Sequence, residues 1–304
     1  MTEPAYPRLS TTLCLFTFVG DDEIRSLGPL GLARSSDEAG GMAFGRGLFV
    51  VTRSQNDAAA GQGSSSKPVL PATLVGASES VRQASTRVLR EELGITVPVR
   101  LRDTGIFDEP GRAGSERVIS ITSWGFVDFA DLGPLLGGRD RVGLELVSST
   151  EFLRTWKDNK GLDAYDGVSR FGLRYRPSPT RGHEKVLSEE INGDTILDLD
   201  YDQMVFYSWR ALRRGFMGAL DPFRFLGAAP LPPAFRLSTL REMYEVAQGQ
   251  EIHPDQFRRA VDREGSFLRR LPGTDTSRQG KPATKYTLQE WADPRTAPRN
   301  DESN

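Results

Sequence analysis

Glu91 and Glu92 stand at the end of a run, Ser78 to Leu93, that contains no glycine or proline and stops at Gly94. That pattern predicts a helix, with Gly94 just past its C-terminus, where a residue free to adopt positive φ is wanted. Earlier in the same stretch Glu79 and Arg87 offer an opposite-charge pair. On a helix, positions 88, 91 and 92 lie three and four apart and share a face. Carboxylates grouped on one helix face can hold a divalent cation. Mg²⁺ in particular takes few carboxylates, several waters and phosphate oxygens. Position 88, however, is Val88. The face has only two acids, so any Mg²⁺ held by Glu91 and Glu92 is expected to be weak. Activation of water through a metal is expected to be impaired with it.

A second chemistry lies near the other end. Ser238 can cap a helix on which Leu240, Met243, Tyr244 and Ala247 fill one face, and Gly249 breaks it. Pro254 suits the first turn of a second helix, where Phe257 and Val261 at i, i+4 point inward. Gln256, Arg259 and Arg263 share another face, with Arg258 beside them. An apolar face anchored in a domain and a cationic face turned outward are what a recognition helix in a DNA major groove requires. Phe267-Leu268 and Tyr286-Leu288 are expected to form a hairpin whose tip, Ser277 to Pro282, carries Arg278 and Lys281 and is followed by Lys285. From Arg258 to Lys285 there are eight Lys or Arg against three Asp or Glu, in a chain of net charge −2. Such segregation is the electrostatic footprint of a phosphate-binding surface. His253 is expected to do no more than cap the second helix, and His183 to lie on the surface.

The elements that must position these groups follow from periodicity. At 304 residues, 38% hydrophobic and 26% charged, the chain has room for two ordinary domains. Thr12 to Val19, Gly47 to Thr52, Val97 to Ile106 and Val118 to Phe126 have strand character. Asp57 to Lys67 is expected to be a loop. Val205, Trp209, Leu212, Phe216 and Leu220 put an apolar stripe on a helix over 200–220. Gly227 to Ala234 suggests a linker, and Ala292 to Asn304 a polar tail. Residues 130–200 mix turn signals with short amphipathic pieces and predict no particular fold. Cys14, in an apolar strand, is expected to be buried. With no apolar run of membrane length and a polar first stretch, neither a membrane span nor a secretory signal is expected, and a cytoplasmic setting follows.

The string from Thr73 through Glu79 to Arg87-Val88-Leu89-Arg90-Glu91-Glu92-Leu93-Gly94-Ile95 resembles the Nudix box. It meets seven of that pattern's nine fixed positions, with Thr73 in place of a glycine and Val88 in place of a glutamate. Together with Gly105 to Asp108, Arg117 to Ser120 and the basic C-terminal module, it is similar to the Nudix-related transcriptional regulators of bacterial NAD metabolism. The resemblance implies an α+β protein: an N-terminal Nudix-type α/β/α sandwich and a C-terminal winged helix-turn-helix domain. It also implies a sandwich that senses ADP-ribose or a related nucleotide at Arg87, Glu91 and Glu92, and a homodimer on a palindromic DNA operator. Gln256, Arg258, Arg259, Arg263, Arg278, Lys281 and Lys285 would then contact DNA, with no cofactor required. The expected division is a sensing domain over 1–199 with an insertion near 130–199, a connecting helix and linker over 200–234, a winged helix over 235–291 and a tail over 292–304. The alternative is a Nudix hydrolase acting on ADP-ribose or a similar nucleoside diphosphate derivative.

Overall fold

Strand β1 (Arg8–Val19) has no exposed face beyond its first residues. Cys14 and Phe16 enter one hydrophobic core, and Leu13 and Leu15, alternating with them, enter another. β2 (Gly47–Arg53) repeats the pattern, with Leu48 and Val50 on one side and Phe49 and Val51 on the other. Side chains alternate along a strand, so these two strands must be covered on both faces. The structure, a computed structural model, describes residues 6–19, 47–53, 67–112, 116–136, 143–148, 173–177, 184–188, 197, 200–218, 231, 233–248, 252–264, 267–275 and 283–289.

Around β1 the sheet is mixed. β3 (Ala72–Leu74) pairs with the first part of β1 and β2 with the last part, both antiparallel. β5 (Val118–Phe126) runs parallel to β1 on its other side. With β4 (Arg102–Phe107) and β6 (Leu144–Ser148) the order is β4-β5-β1-β2-β6, with β3 off this path. One face is covered by α1 (Val81–Arg87), which continues directly into a π-helical turn, Val88–Glu92, and by the short α2 (Phe129–Leu132).

The other face is covered by α3 (Tyr201–Gly218), whose Met204, Val205, Trp209, Leu212 and Phe216 are buried. The periodicity of this helix was legible, but its role differs from a connector: it is the second helical layer of the sandwich. An apolar stripe states that a helix packs, not against what. Its start is tied down by Arg112, which donates to both carboxylate oxygens of Asp200 at 2.7 and 2.8 Å and to Ser120 Oγ at 2.8 Å. Arg112 is almost wholly buried there, and such a bidentate pair fixes direction as well as distance. Cys14 lies fully buried beneath α3, as expected; burial pushes its thiol far up, against a smaller opposing effect of the Ser208 hydroxyl.

The C-terminal unit comprises β9 (Phe235–Arg236), α4 (Leu237–Gln248), α5 (Pro254–Glu264), β10 (Leu268–Asp275) and β11 (Ala283–Leu288). Its sheet has the order β10-β11-β9. Leu240, Met243, Tyr244 and Ala247 fill the inner face of α4. Ser238 lies within the first turn rather than ahead of it, because β9 leads straight into the helix. The apolar residues of this unit belong to the same core as Phe16, Val50 and Phe216. α4 packs on α3 and also reaches β2. A row of aromatic rings crosses the junction: Phe126 to Phe18 at 5.3 Å, Phe18 to Phe216 at 6.0 Å, Phe216 to Tyr244 at 5.2 Å and Tyr244 to Phe257 at 5.3 Å.

Within the stretch expected to be an insertion, β6 is part of the main sheet, and β7 (Leu173–Pro177) and β8 (Glu184–Ser188) form a separate antiparallel hairpin. Part of the stretch 130–199 thus belongs to the main sheet. The turn residues around β6 hide a strand of ordinary length. Most of the loop 57–67, most of the linker 227–234, Gly249, His183 and the tail 292–304 lie outside the described residues. Among the described residues no helix is long and apolar enough to cross a membrane.

A core common to both units implies that they unfold together. Phe216→Ala is expected to lower stability by about 3–5 kcal/mol, the usual range for a buried phenylalanine. Urea denaturation followed by fluorescence and by far-UV circular dichroism should give one coincident transition for both the parent and the variant. Two separated transitions would show independent units.

Candidate functional site

Ser80 caps α1: its Oγ accepts from the Gln83 N–H, and the Gln83 side chain accepts from the Ser80 N–H, a reciprocal capping box. The helix is held to β1 by a hydroxyl pair, Thr11 and Ser85, at 2.8 Å. Upstream, the loop from β3 is tied to α1 through Arg87. Its Nε and Nη2 donate to the two oxygens of Glu79 at 3.0 and 2.8 Å, and Nη2 also donates to the Leu74 carbonyl at 3.0 Å. The Gly76 N–H donates to Glu79 as well. The hydrogen bond from Arg87, then that from Gly76, draws the Glu79 carboxyl from its ordinary 4.5 down to about 2. Thr73, which replaces the box's first glycine, sits in β3 opposite Thr11, and its Oγ1 accepts from Arg87 Nη1 at 3.2 Å. An extended strand admits a β-branched residue, so no special turn has to be rebuilt there.

The C-terminal part of the helix departs from the expected geometry. The Val88 carbonyl accepts from the Leu93 N–H, five residues on, so the backbone makes a wide π turn. Gly94 then closes the element at φ 74°, in the left-handed region that glycine enters without strain. Val88 is fully buried among Leu13, Leu15, Leu89, Leu93 and Ile95. The shared face of 88, 91 and 92 expected from regular α-helical spacing is therefore corrected: Val88 belongs to the core, not to the row of acids. Glu91 is exposed and Glu92 half-buried. Glu92 is occupied by Arg53, at the end of β2, whose Nη1 donates to Oε2 at 2.8 Å, while Arg87 Nη1 lies 3.9 Å from Oε1.

These acids fit a divalent cation poorly. Glu79 is saturated by Arg87, and Glu92 already faces two guanidinium groups. Among the described residues there is no group of three or more His, Cys, Asp or Glu placed to share a metal. Arg53 was not singled out by its sequence context: a cation closing an apolar strand signals nothing by itself, and 39 positions separate it from Glu92.

In the C-terminal unit, Phe257 and Val261 are buried, while Gln256, Arg258, Arg259 and Arg263 are exposed on α5. His253 caps this helix, its Nδ1 accepting from the Asp255 N–H at 3.3 Å. The turn before it is fixed by Glu245, which takes both the Arg241 guanidinium at 2.6 Å and the Ile252 N–H at 2.9 Å. Arg258 lies 3.9 Å from Asp262, one helical turn away and largely in solvent. A pair so exposed contributes little and leaves the side chain free to move. Lys285 is half-buried on β11, opposite Arg236 of β9. Arg269 and Arg270, exposed on β10, extend the cationic surface beyond the residues expected from the helix pattern. They stood in the charge count, but a single arginine pair in a strand has no helical spacing to mark it. Arg278 and Lys281 lie outside the described residues.

Residues 227–288 match the family model of the NrtR DNA-binding winged helix domain. The whole chain is similar in fold to NrtR from Shewanella oneidensis, solved in complex with a 27mer DNA, with a TM-score of 0.55 at 15% identity over 92% of this chain and 93% of that one. A MutT/nudix family protein from Enterococcus faecalis gives 0.50 at 14% identity over 95% of this chain and 89% of that one. Comparison with curated proteins finds no match. The expected fold is borne out: a mixed α and β protein with a Nudix-type sandwich followed by a winged helix-turn-helix domain. So is the resemblance to the Nudix-related regulators, which the winged helix and the order of the two units carry together.

Two outcomes follow from the geometry around α1. Val88→Glu would place a carboxylate in the core without a partner and is expected to cost about 3 kcal/mol, read by urea denaturation. An unchanged stability, rising when Mg²⁺ is added, would return position 88 to the acidic face. For Glu79, a carboxyl lowered on folding adds stability that is present above 4.5 and lost as pH falls through about 2. Thermal melts of Glu79→Gln should therefore show a flatter loss of stability across that window than the parent. Parallel curves would mean that the pair with Arg87 contributes nothing.

Proposed function

We propose that this chain is a ligand-responsive transcription regulator: a winged helix that binds operator DNA, governed by a sandwich that senses ADP-ribose or a related nucleotide. The observation that carries it is α5, which buries Phe257 and Val261 and turns Gln256, Arg258, Arg259 and Arg263 to solvent. That helix lies within the segment that matches a DNA-binding winged helix domain. Gln256, Arg258, Arg259 and Arg263 would read or clamp the duplex, with Arg278, Lys281 and Lys285 on the wing side. The protein would act as a homodimer on two half-sites. Its setting would be the cytoplasm.

The sandwich would do no hydrolysis. Glu92 is paired with Arg53 and Val88 is in the core, so the acids support binding rather than metal-assisted attack by water. Arg87, Glu91 and Glu92 would stand at the nucleotide pocket. Transmission to DNA needs only a ligand with different affinity for two arrangements of the molecule. The common core supports such a link, because α3 touches the sheet on one side and α4 on the other.

Gel-shift titration with the chain's own upstream region tests this function. Binding should weaken with salt, and Arg259→Ala should weaken it by about tenfold. If Arg259 meets a phosphate, the logarithmic salt slope should also fall by roughly 0.9. ADP-ribose at saturation should change the DNA affinity by about fivefold or more. Binding to DNA without salt dependence, or AMP release that needs Mg²⁺ and is lost in Glu92→Gln, would overturn the proposal in favour of a hydrolase.

A further inference from the structure

The arrangement around Glu92 has a chemical consequence for the ligand. Arg53 is anchored by its backbone on two strands: its N–H donates to the Val69 carbonyl at 2.8 Å, its carbonyl accepts from Val69 N at 3.0 Å, and it pairs with Leu144 of β6. Its guanidinium is three-quarters buried and meets Glu92 through Nη1 alone. The Nε–H is shut off from water and has no acceptor among the described residues. Only the outer nitrogens of the guanidinium, on a side chain about one-quarter exposed, can therefore meet an anion, and an N–H of this kind suits a phosphate oxygen. Nearby, three acids, Glu79, Glu91 and Glu92, surround two cations, Arg87 and Arg53. A divalent ion at Glu92 would have to compete with Arg53, seated on Oε2 at 2.8 Å, and with the charge of Arg87 3.9 Å from Oε1.

We infer that Arg53 takes over the part a divalent cation plays in metal-dependent members of this fold, so that the sandwich holds the phosphate groups of its ligand through guanidinium donors without metal. This rests on the nucleotide-sensing function proposed above. Glu92 acts as the positioning residue: it aims Arg53 through the bond to Nη1.

The test is isothermal titration of the full chain with ADP-ribose, in EDTA and in Mg²⁺, paired with thermal shift by inorganic pyrophosphate in EDTA. Affinity for ADP-ribose is expected to agree within about twofold between the two buffers. Arg53→Gln should lose at least about tenfold, and Arg53→Lys, which keeps the charge but not the fork, should fall between. Glu92→Gln keeps an oxygen for Nη1 and removes a negative charge, so its affinity in EDTA should be equal or tighter. A tenfold requirement for Mg²⁺ would overturn the inference, as would a Glu92→Gln loss equal to that of Arg53→Gln. Should Arg53→Gln fail to fold by circular dichroism, the decision passes to the other two variants. Weakening in Arg53→Lys alone supports the inference, and no weakening in either overturns it. If ADP-ribose binds in neither buffer while pyrophosphate still stabilises the parent but not Arg53→Lys, the ligand's identity is wrong and the role of Arg53 stands. If neither probe binds, both fall.

Discussion

Most of this molecule follows from the need to cover a sheet that is apolar on both faces. β1 alternates Leu13 and Leu15 with Cys14 and Phe16, and β2 alternates in step with it, so neither face can meet water. Burial of aliphatic and aromatic side chains at roughly 1.5–3 kcal/mol each is the largest favourable contribution available, and it demands a helical layer on each side. The Nudix-type helix covers one face and α3 the other. Neither acidic nor basic chemistry could be positioned before that demand is met.

The second face has more apolar surface than α3 alone covers, and α4 of the winged unit meets the remainder. The row of rings from Phe126 through Phe18, Phe216 and Tyr244 to Phe257 is the visible form of this sharing. Phe257 lies on the helix that carries the exposed arginines, so the cationic surface is seated on the same packed column as the sheet. Close-packed interiors transmit small displacements because they have no free volume to absorb them. The two units therefore meet through packed side chains and not only through the chain that joins them.

At the other face, ion pairs hold the acids of the box in place. Arg87 stitches the β3 loop to α1 through Glu79, Thr73 and the Leu74 carbonyl, and Arg53 closes on Glu92 from the neighbouring strand. The scaffold of the box survives because these are interactions of position, needed for the fold whether or not the site turns over. Val88 faces inward in helical step with Ala84 and Ser85 and completes the core, and the π turn that starts there leaves Glu91 and Glu92 with different surroundings.

The sequence by itself determined the elements whose signals are local: the strand pattern of β1, β2 and β5, the helix ending at Gly94, the stripe from Val205 to Phe216, and the two-faced helix with Phe257 and Val261 inside. It also marked the Glu79–Arg87 pair, since both lie within one short motif. Tertiary structure alone decided that Glu91 and Glu92 do not share the face of Val88, because a one-residue widening of a helix leaves no trace in composition. It alone brought Arg53 to Glu92 and Arg112 to Asp200, pairs whose members are 39 and 88 positions apart. It alone made α3 a layer of the sandwich and joined the two cores, since periodicity reports that a face is apolar and only packing selects its partner.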